Sequence, residues 1–224
     1  MAYIGNNKTL FAPRLIVINS NDYNILWDAI QKSGARTIYD RVFEGWTPES
    51  FRPKYSMNVT SAVQMFENFT GEIDLVERLN ECGVSLDFSR CSNFEKAFNM
   101  SAIKRIGDLD LRKATNTAYL FHCGSIETIE NLIVDNNFWP KGTEFKYCPH
   151  LQNISITGLF HNNGLDFHWS ALTHQSLLNI INALASYVWS GGMETRTITL
   201  GASNLSKLTN AEIAMATEKG WTLV

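Results

Sequence analysis

Apolar positions in this chain return at a fixed distance. Leu86-Asp87-Phe88 recurs as Leu109-Asp110-Leu111, and Cys91, Phe98, Ile103 and Ile106 recur as Ala114, Phe121, Ile126 and Ile129, each pair 23 residues apart. A third copy runs through Leu132-Ile133-Val134, Phe145, Cys148, Leu151 and Ile154, after a slip of one to two residues near Trp139-Pro140. Self-similarity at this period predicts a solenoid, in which each unit buries its apolar face only against its neighbours. Within a unit, Leu-x-Leu puts two side chains on the inner face of a short strand and the residue between them towards solvent. The expected class is α/β: short parallel strands stacked at about 23 residues, closed by helical caps at both ends.

The flanking sequence supplies the caps. Leu15-Ile16-Val17-Ile18 reads as a strand and Asp22 to Lys32 as a helix stopped by Gly34. Tyr39, Val42, Phe43 and Trp46 are spaced for one helical face ended by Thr47-Pro48. Residues 1–54 are therefore expected to be an N-terminal cap or attachment module, 55–170 the solenoid and 171–224 a C-terminal helical cap. A helix over about Asp74 to Cys82 turns Leu75 and Leu79 inward and stops at Gly83, before a strand from Val84 to Phe88. Leu165-Asp166-Phe167 resembles one more repeat strand. Thr173 can cap a helix reaching about Tyr187, with Leu177, Ile181, Leu184 and Val188 as its apolar stripe. Ser190-Gly191-Gly192 reads as a loop and Thr197 to Leu200 as a strand. Thr209-Asn210-Ala211-Glu212 is a capping box opening a last helix to Lys219, and Trp221 to Val224 forms a short strand or plug.

The run Phe145-Lys146-Tyr147-Cys148-Pro149-His150-Leu151-Gln152-Asn153-Ile154 resembles the repeat of BspA-like leucine-rich-repeat proteins, and Phe121 to Ile129 is the same motif one residue shorter. The resemblance makes Leu86, Phe88, Cys91, Phe98, Leu109, Leu111, Phe121, Cys123, Phe145, Cys148, Leu151 and Ile154 the repeat core. The chain's opening, Met1 to Gly5, and its ending, from Thr197-Ile198-Thr199-Leu200-Gly201 through Gly220-Trp221-Thr222-Leu223, resemble repeat proteins of gut Firmicutes and their prophages. That implies a non-catalytic binding module on a phage tail or baseplate, engaging a host-surface protein or glycan and forming a homo-oligomer. The alternative is an intracellular protein that binds and inhibits a host factor such as a defence component.

Composition narrows the partners. A net charge of −3 and a pI near 6.0 argue against a nucleic-acid backbone binder. No segment approaches the roughly 20 apolar residues of a membrane span. The opening Met1 to Lys8 lacks a charged region followed by an apolar run, so no signal peptide is expected, and residence is a host cytoplasm or, later, a virion. Four cysteines allow disulfides, yet three occupy apolar repeat positions and are expected to be buried free thiols.

Candidate chemistry is sparse. His161, His168 and His174 lie near Asp166, but their spacing does not match paired metal ligands, and surface histidines are expected instead. His122-Cys123 suggests a base and a nucleophile, except that neighbours in an extended segment point to opposite faces and Cys123 occupies a buried position. No metal, cofactor or catalytic site is expected. The solvent-facing strand positions are the better candidates for a partner: Asp87, Ser89, Arg90, Asp108, Asp110, Arg112, Lys113, Ile133 and Asp135. The repeat stacks Asp87, Asp110 and Ile133 in one column and Ser89, Arg112 and Asp135 in the next. A solvated sheet that pairs its own charges would read the same way. Trp169 reads as core, whereas Trp139 and Trp189 read equally well as core or as contact anchors.

Overall fold

The computed structural model describes residues 37–189, 192–193 and 195–224. The strand at Leu15, the helix at Asp22 and Gly34 lie outside the described residues, as does most of the loop at Ser190-Gly191. The fold is mixed α/β, with parallel-strand sheets and few helices. Its main sheet has the order β2-β4-β5-β6, from β2 (Ile73–Asp74), β4 (Ile103–Asp110), β5 (Thr128–Ile133) and β6 (Asn153–Thr157), all pairs parallel. Ile106 lies opposite Ile129 and Ile129 opposite Ile154, so these three isoleucines belong to the strands of the sheet. β1 (Met57–Asn58) pairs with β3 (Leu86–Asp87) in a separate parallel pair, and β9 (Arg196–Ile198) pairs with β10 (Trp221–Leu223) in another. β7 (Val188–Trp189) and β8 (Gly192–Met193) are antiparallel.

A column of phenylalanines fills the interior. Phe43, Phe66, Phe98, Phe121, Phe145 and Phe167 stack in succession, with ring centroids 5.0, 5.4, 5.0, 5.7 and 4.7 Å apart and planes within 27°. The intervals are 23, 32, 23, 24 and 22 residues, and the long one contains α1 (Leu75–Cys82). Asp74 caps α1 by accepting the Glu77 N–H, and left-handed Gly83 (φ 65°) ends it at the stop the sequence predicts.

The segments that carry these rings are neither helix nor ordinary strand. The N–H groups of Ala62, Gln64, Phe66 and Asn68 donate to the carbonyls of Asn93, Glu95, Ala97 and Asn99 on the next rung. Those of Met65, Glu67 and Phe69 turn back to Ala62, Gln64 and Phe66 on their own. Two left-handed positions four residues apart recur: Arg41, Gln64, Lys96 and Tyr119, then Gly45, Asn68, Met100 and Cys123. Only glycine takes such angles freely, so the ladder hydrogen bonds must hold the other residues there.

Several expectations change. Tyr39, Val42, Phe43 and Trp46 do not form a helix; left-handed Arg41 forbids one, and Tyr39, Arg41 and Phe43 N–H donate to Ser61, Val63 and Met65 O. Thus the described residues from Tyr39 to Phe51 share the ladder or the same hydrophobic cluster, which runs from Tyr39 to Trp221. Phe167 stacks on Phe145, which moves Leu165-Asp166-Phe167 from the Leu-x-Leu strands to the phenylalanine column. Cys123 is exposed rather than buried. Because Cys123 N–H donates to Lys146 O, Cys123 sits level with Tyr147, and Gly124 takes the buried position that Cys148 fills one rung on. A Cβ at Gly124 would lie 3.0 Å from Phe121 O.

At the C-terminal end, α2 (His174–Asn182) is capped by Thr173 but stops short of Tyr187. Phe160 N–H donates to Ala183 O and Ala185 N–H to Phe160 O, so a ladder replaces the next helical turn and Val188 is left half exposed. α3 (Ala202–Leu205) is a single turn, and α4 (Asn210–Glu218) opens on the Thr209/Glu212 capping box. Trp221 is buried, its Nε1–H donating to Ala185 O at 2.7 Å.

Candidate functional site: the polar face of the four-stranded sheet

The sheet buries Ile103, Ile106, Leu109, Ile129, Leu132 and Ile154 and turns the intervening side chains outward. Lys104 Nζ lies 3.1 Å from Glu72 Oε1 and 2.9 Å from Glu127 Oε1. One strand position on, Arg105 Nη1 lies 3.2 Å from Asp74 Oδ2, and Nη2 meets Glu130 Oε1. Asn131 donates to Asp108 Oδ1 at 3.2 Å and accepts from the Thr157 hydroxyl at 2.8 Å. The Glu127 carboxylate holds the Lys104 ammonium above its ordinary pKa, and Glu130 does the same for the Arg105 guanidinium. Both cations are thus spoken for, each by two carboxylates on neighbouring segments.

The expected candidates divide. Asp110 and Ile133 are register partners, as the 23-residue spacing requires. Asp110 is nevertheless buried, at 4 % exposure, which corrects its solvent-facing assignment. Its carboxylate folds back to accept the Arg112 backbone N–H at 3.0 Å and Arg112 Nη2 at 2.6 Å, closing the turn that ends β4. Asp110 in turn raises the pKa of Arg112, with a smaller contribution from Asp135. Asp135 accepts the Asn137 N–H at 2.8 Å. Arg112 and Lys113 are exposed, and Asp108 stands on the open face. Asp87, Ser89 and Arg90 are not brought into this sheet, since β3 pairs with β1; Asp87 accepts the Ser89 N–H at 2.8 Å.

Six residues of the face escape the Leu-x-Leu reading: Glu72, Asp74, Lys104, Arg105, Glu127 and Glu130. A signal for them exists, because Lys104 and Glu127 stand 23 residues apart, as do Asp108 and Asn131. Opposite charges at the repeat distance become cross-strand neighbours.

A second exposed feature is aromatic. Tyr119, His122, Tyr147, Trp169 and His168 form a continuous line of rings with centroids 4.9 to 5.5 Å apart. Trp169, expected in the core, is 49 % exposed, because its place in the column follows Cys123 and Tyr147 rather than the phenylalanines. Trp139 is also exposed, and the side chain of Trp189 lies outside the described residues.

Among the described residues, no group of three or more His, Cys, Asp or Glu side chains could hold a metal ion. His174 instead meets Glu212 Oε1 at 2.8 Å, and His161 Nδ1 lies 3.2 Å from the Tyr187 hydroxyl. Among the described residues, no helix is long and apolar enough to cross a membrane. No family model matches the chain, and neither a curated protein nor a solved structure matches it.

Proposed function

We propose that this chain is a non-catalytic leucine-rich-repeat solenoid that binds a partner protein through the open face of its four-stranded sheet. The solenoid reading is supported by the six-ring phenylalanine column and by the matching parallel registers of β4, β5 and β6. Stacked repeats present such a sheet as an extended contact surface. The observation that carries the binding reading is the charge balance of the face: four carboxylates (Glu72, Asp74, Glu127 and Glu130) pair with two cations, Lys104 and Arg105, and a fifth, Asp108, accepts from Asn131. A face with surplus negative charge suits a partner surface rich in Lys and Arg and repels phosphate. The resemblance of the chain's opening and of its ending, Thr197 to Leu223, to repeat proteins of prophages favours a tail or baseplate protein that meets a protein on the host surface.

The test is capture from a host surface extract followed by cross-linking, with the parent and with Glu127→Lys/Glu130→Lys. The reading expects one partner, cross-linked to the sheet, whose capture weakens with salt and is lost in the reversed variant. Equal capture by both proteins would overturn it.

A further inference from the structure

One cluster of side chains plays no part in the sheet. Cys123 is exposed and sits in left-handed backbone (φ 55°), and its Sγ lies 3.8 Å from Nε2 of its neighbour His122. The expectation that the two point apart held only for extended chain. His122 Nδ1 lies 3.2 Å from Asn99 Oδ1, and Asn99 Nδ2 donates to Glu67 Oε1 at 2.7 Å. Gln64 Nε2 donates to the other Glu67 oxygen. Glu67 and Asn99 are each only 7 % exposed, so the relay is anchored in the interior.

The relay dictates where the protons sit. A carboxylate accepts, so Asn99 must turn its NH2 towards Glu67 and its Oδ1 towards His122. That oxygen also only accepts, so Nδ1 of His122 carries the hydrogen and Nε2 keeps its lone pair. The lone pair is on the nitrogen nearest the thiol. Nucleophile, base and orienting amide thus stand in series. Burial, and then the charge of Lys146, hold His122 below its ordinary pKa, so the imidazole is neutral and able to accept a proton near pH 7.

The surroundings limit the chemistry. Cys123 N–H donates to Lys146 O and Gly124 N–H to Phe121 O, so neither can hold an oxyanion, and acyl transfer lacks its stabilising donors. Attack on a disulfide needs no such donors, only a thiolate and a way in. Met100 and Tyr147, both exposed, flank Cys123 along its column, and Lys146, whose ammonium lies 5.5 Å from the Tyr147 ring centre, brings positive charge near His122.

We propose that Cys123 is a base-assisted modification site that reacts with small anionic disulfides. His122 Nε2 takes the Sγ proton, Sγ bonds to one sulfur of the reagent, and the reagent's S–S bond breaks. The departing thiolate takes the proton back from His122. The protein thiol is oxidised to a mixed disulfide and half of the reagent is reduced to a thiol. Cys91 and Cys148 serve as internal controls, because burial pushes both thiols up to about 12.

The experiment treats the intact protein with dithiobis(nitrobenzoate), a dianionic disulfide, follows thiol release, and locates the adduct by mass spectrometry. Cys123 is expected to label first, ahead of the half-buried Cys82 and the buried Cys91 and Cys148. His122→Gln, with its fold checked by circular dichroism, should slow labelling about tenfold or more. Lys146→Gln should slow the dianionic reagent but not neutral dithiodipyridine. If Cys123 labels no faster than Cys82, or at one rate in the parent and His122→Gln, the proposal is overturned. Equal slowing of both reagents by Lys146→Gln would remove the preference for anions.

Discussion

Phe98 and Phe121 stand 23 residues apart in the chain and 5.0 Å apart in space, their rings within 15° of parallel. Phe145 continues the stack on the far side of Phe121 at 5.7 Å. Removing the central ring leaves a cavity bounded by two rigid rungs that hydrogen-bond to each other's neighbours. Phe121→Ala should therefore destabilise the protein by about 3–5 kcal/mol in denaturant titration. A variant that unfolds with the parent's midpoint would take Phe121 out of the core.

Gly158 is where β6 ends against the previous unit. Its φ is 98°, and a Cβ there would fall 1.9 Å from Val134 O, a backbone atom that cannot move aside alone. Gly158→Ala should cost about 3 kcal/mol or more and loosen the Val134 N–H bond to Thr157 O. Amide exchange at Val134 reads this directly, and parent-like protection would contradict it.

Acid should release α4 before the phenylalanine column. The Thr209 N–H and hydroxyl, and then His174, hold the Glu212 carboxyl below its ordinary 4.5. A depressed carboxylate contributes stability above its unfolded value and loses it as the pH falls through the folded one. Amides of 210–218 should thus lose protection below pH 4.5, and Glu212→Gln should flatten that dependence. Thr209→Ala, which removes the cap, should cost about 1 kcal/mol at neutral pH.

At the alkaline end the sheet face should respond with the opposite sign. Lys104 is held above its ordinary 10.5 chiefly by Glu127, so its contribution is complete below that value and lost as the pH rises through the raised one. Glu127 is about half exposed, so Glu127→Gln should change stability by no more than about 1 kcal/mol and remove part of the alkaline dependence. A large destabilisation at neutral pH would mean that the face is built for stability.

How much of this was legible follows from where the spacing is constant. Phe98/Phe121, Ile106/Ile129 and Leu109/Leu132 keep the 23-residue interval, and the structure places each pair on adjacent rungs. The unit at Met65-Phe66 shows in the sequence only as a degenerate copy, because α1 stretches the interval from Phe66 to Phe98 to 32 residues. Tyr39, Val42, Phe43 and Trp46 also mimic a helical stripe, and the left-handed residue that breaks it, Arg41, is not a glycine, nor are Gln64 and Lys96 at the matching place on later rungs. No local propensity announces such positions; tertiary hydrogen bonds impose them.

The site was legible in part for similar reasons. Strict alternation would expose Asp110, but a carboxylate can bury itself by capping the next turn, as this one does on Arg112. Cys123 was misplaced by one residue because the Phe145 copy is longer by one, which shifts the buried position from Cys123 to Gly124. The same shift brings His122 and Cys123 together.

Excision of one repeat tests the account most directly. Asn93 and Asn116 are bridge partners on adjacent rungs, so deleting residues 93–115 joins Ser92 to Asn116 and should seat Phe121 on Phe66. The measurement is the chemical unfolding curve of this variant beside one lacking only residues 93–112. A repeat-built protein predicts a cooperative transition for the in-register deletion and none for the other. If both unfold alike, or neither shows a folded baseline, the rungs are not interchangeable units and the solenoid account fails.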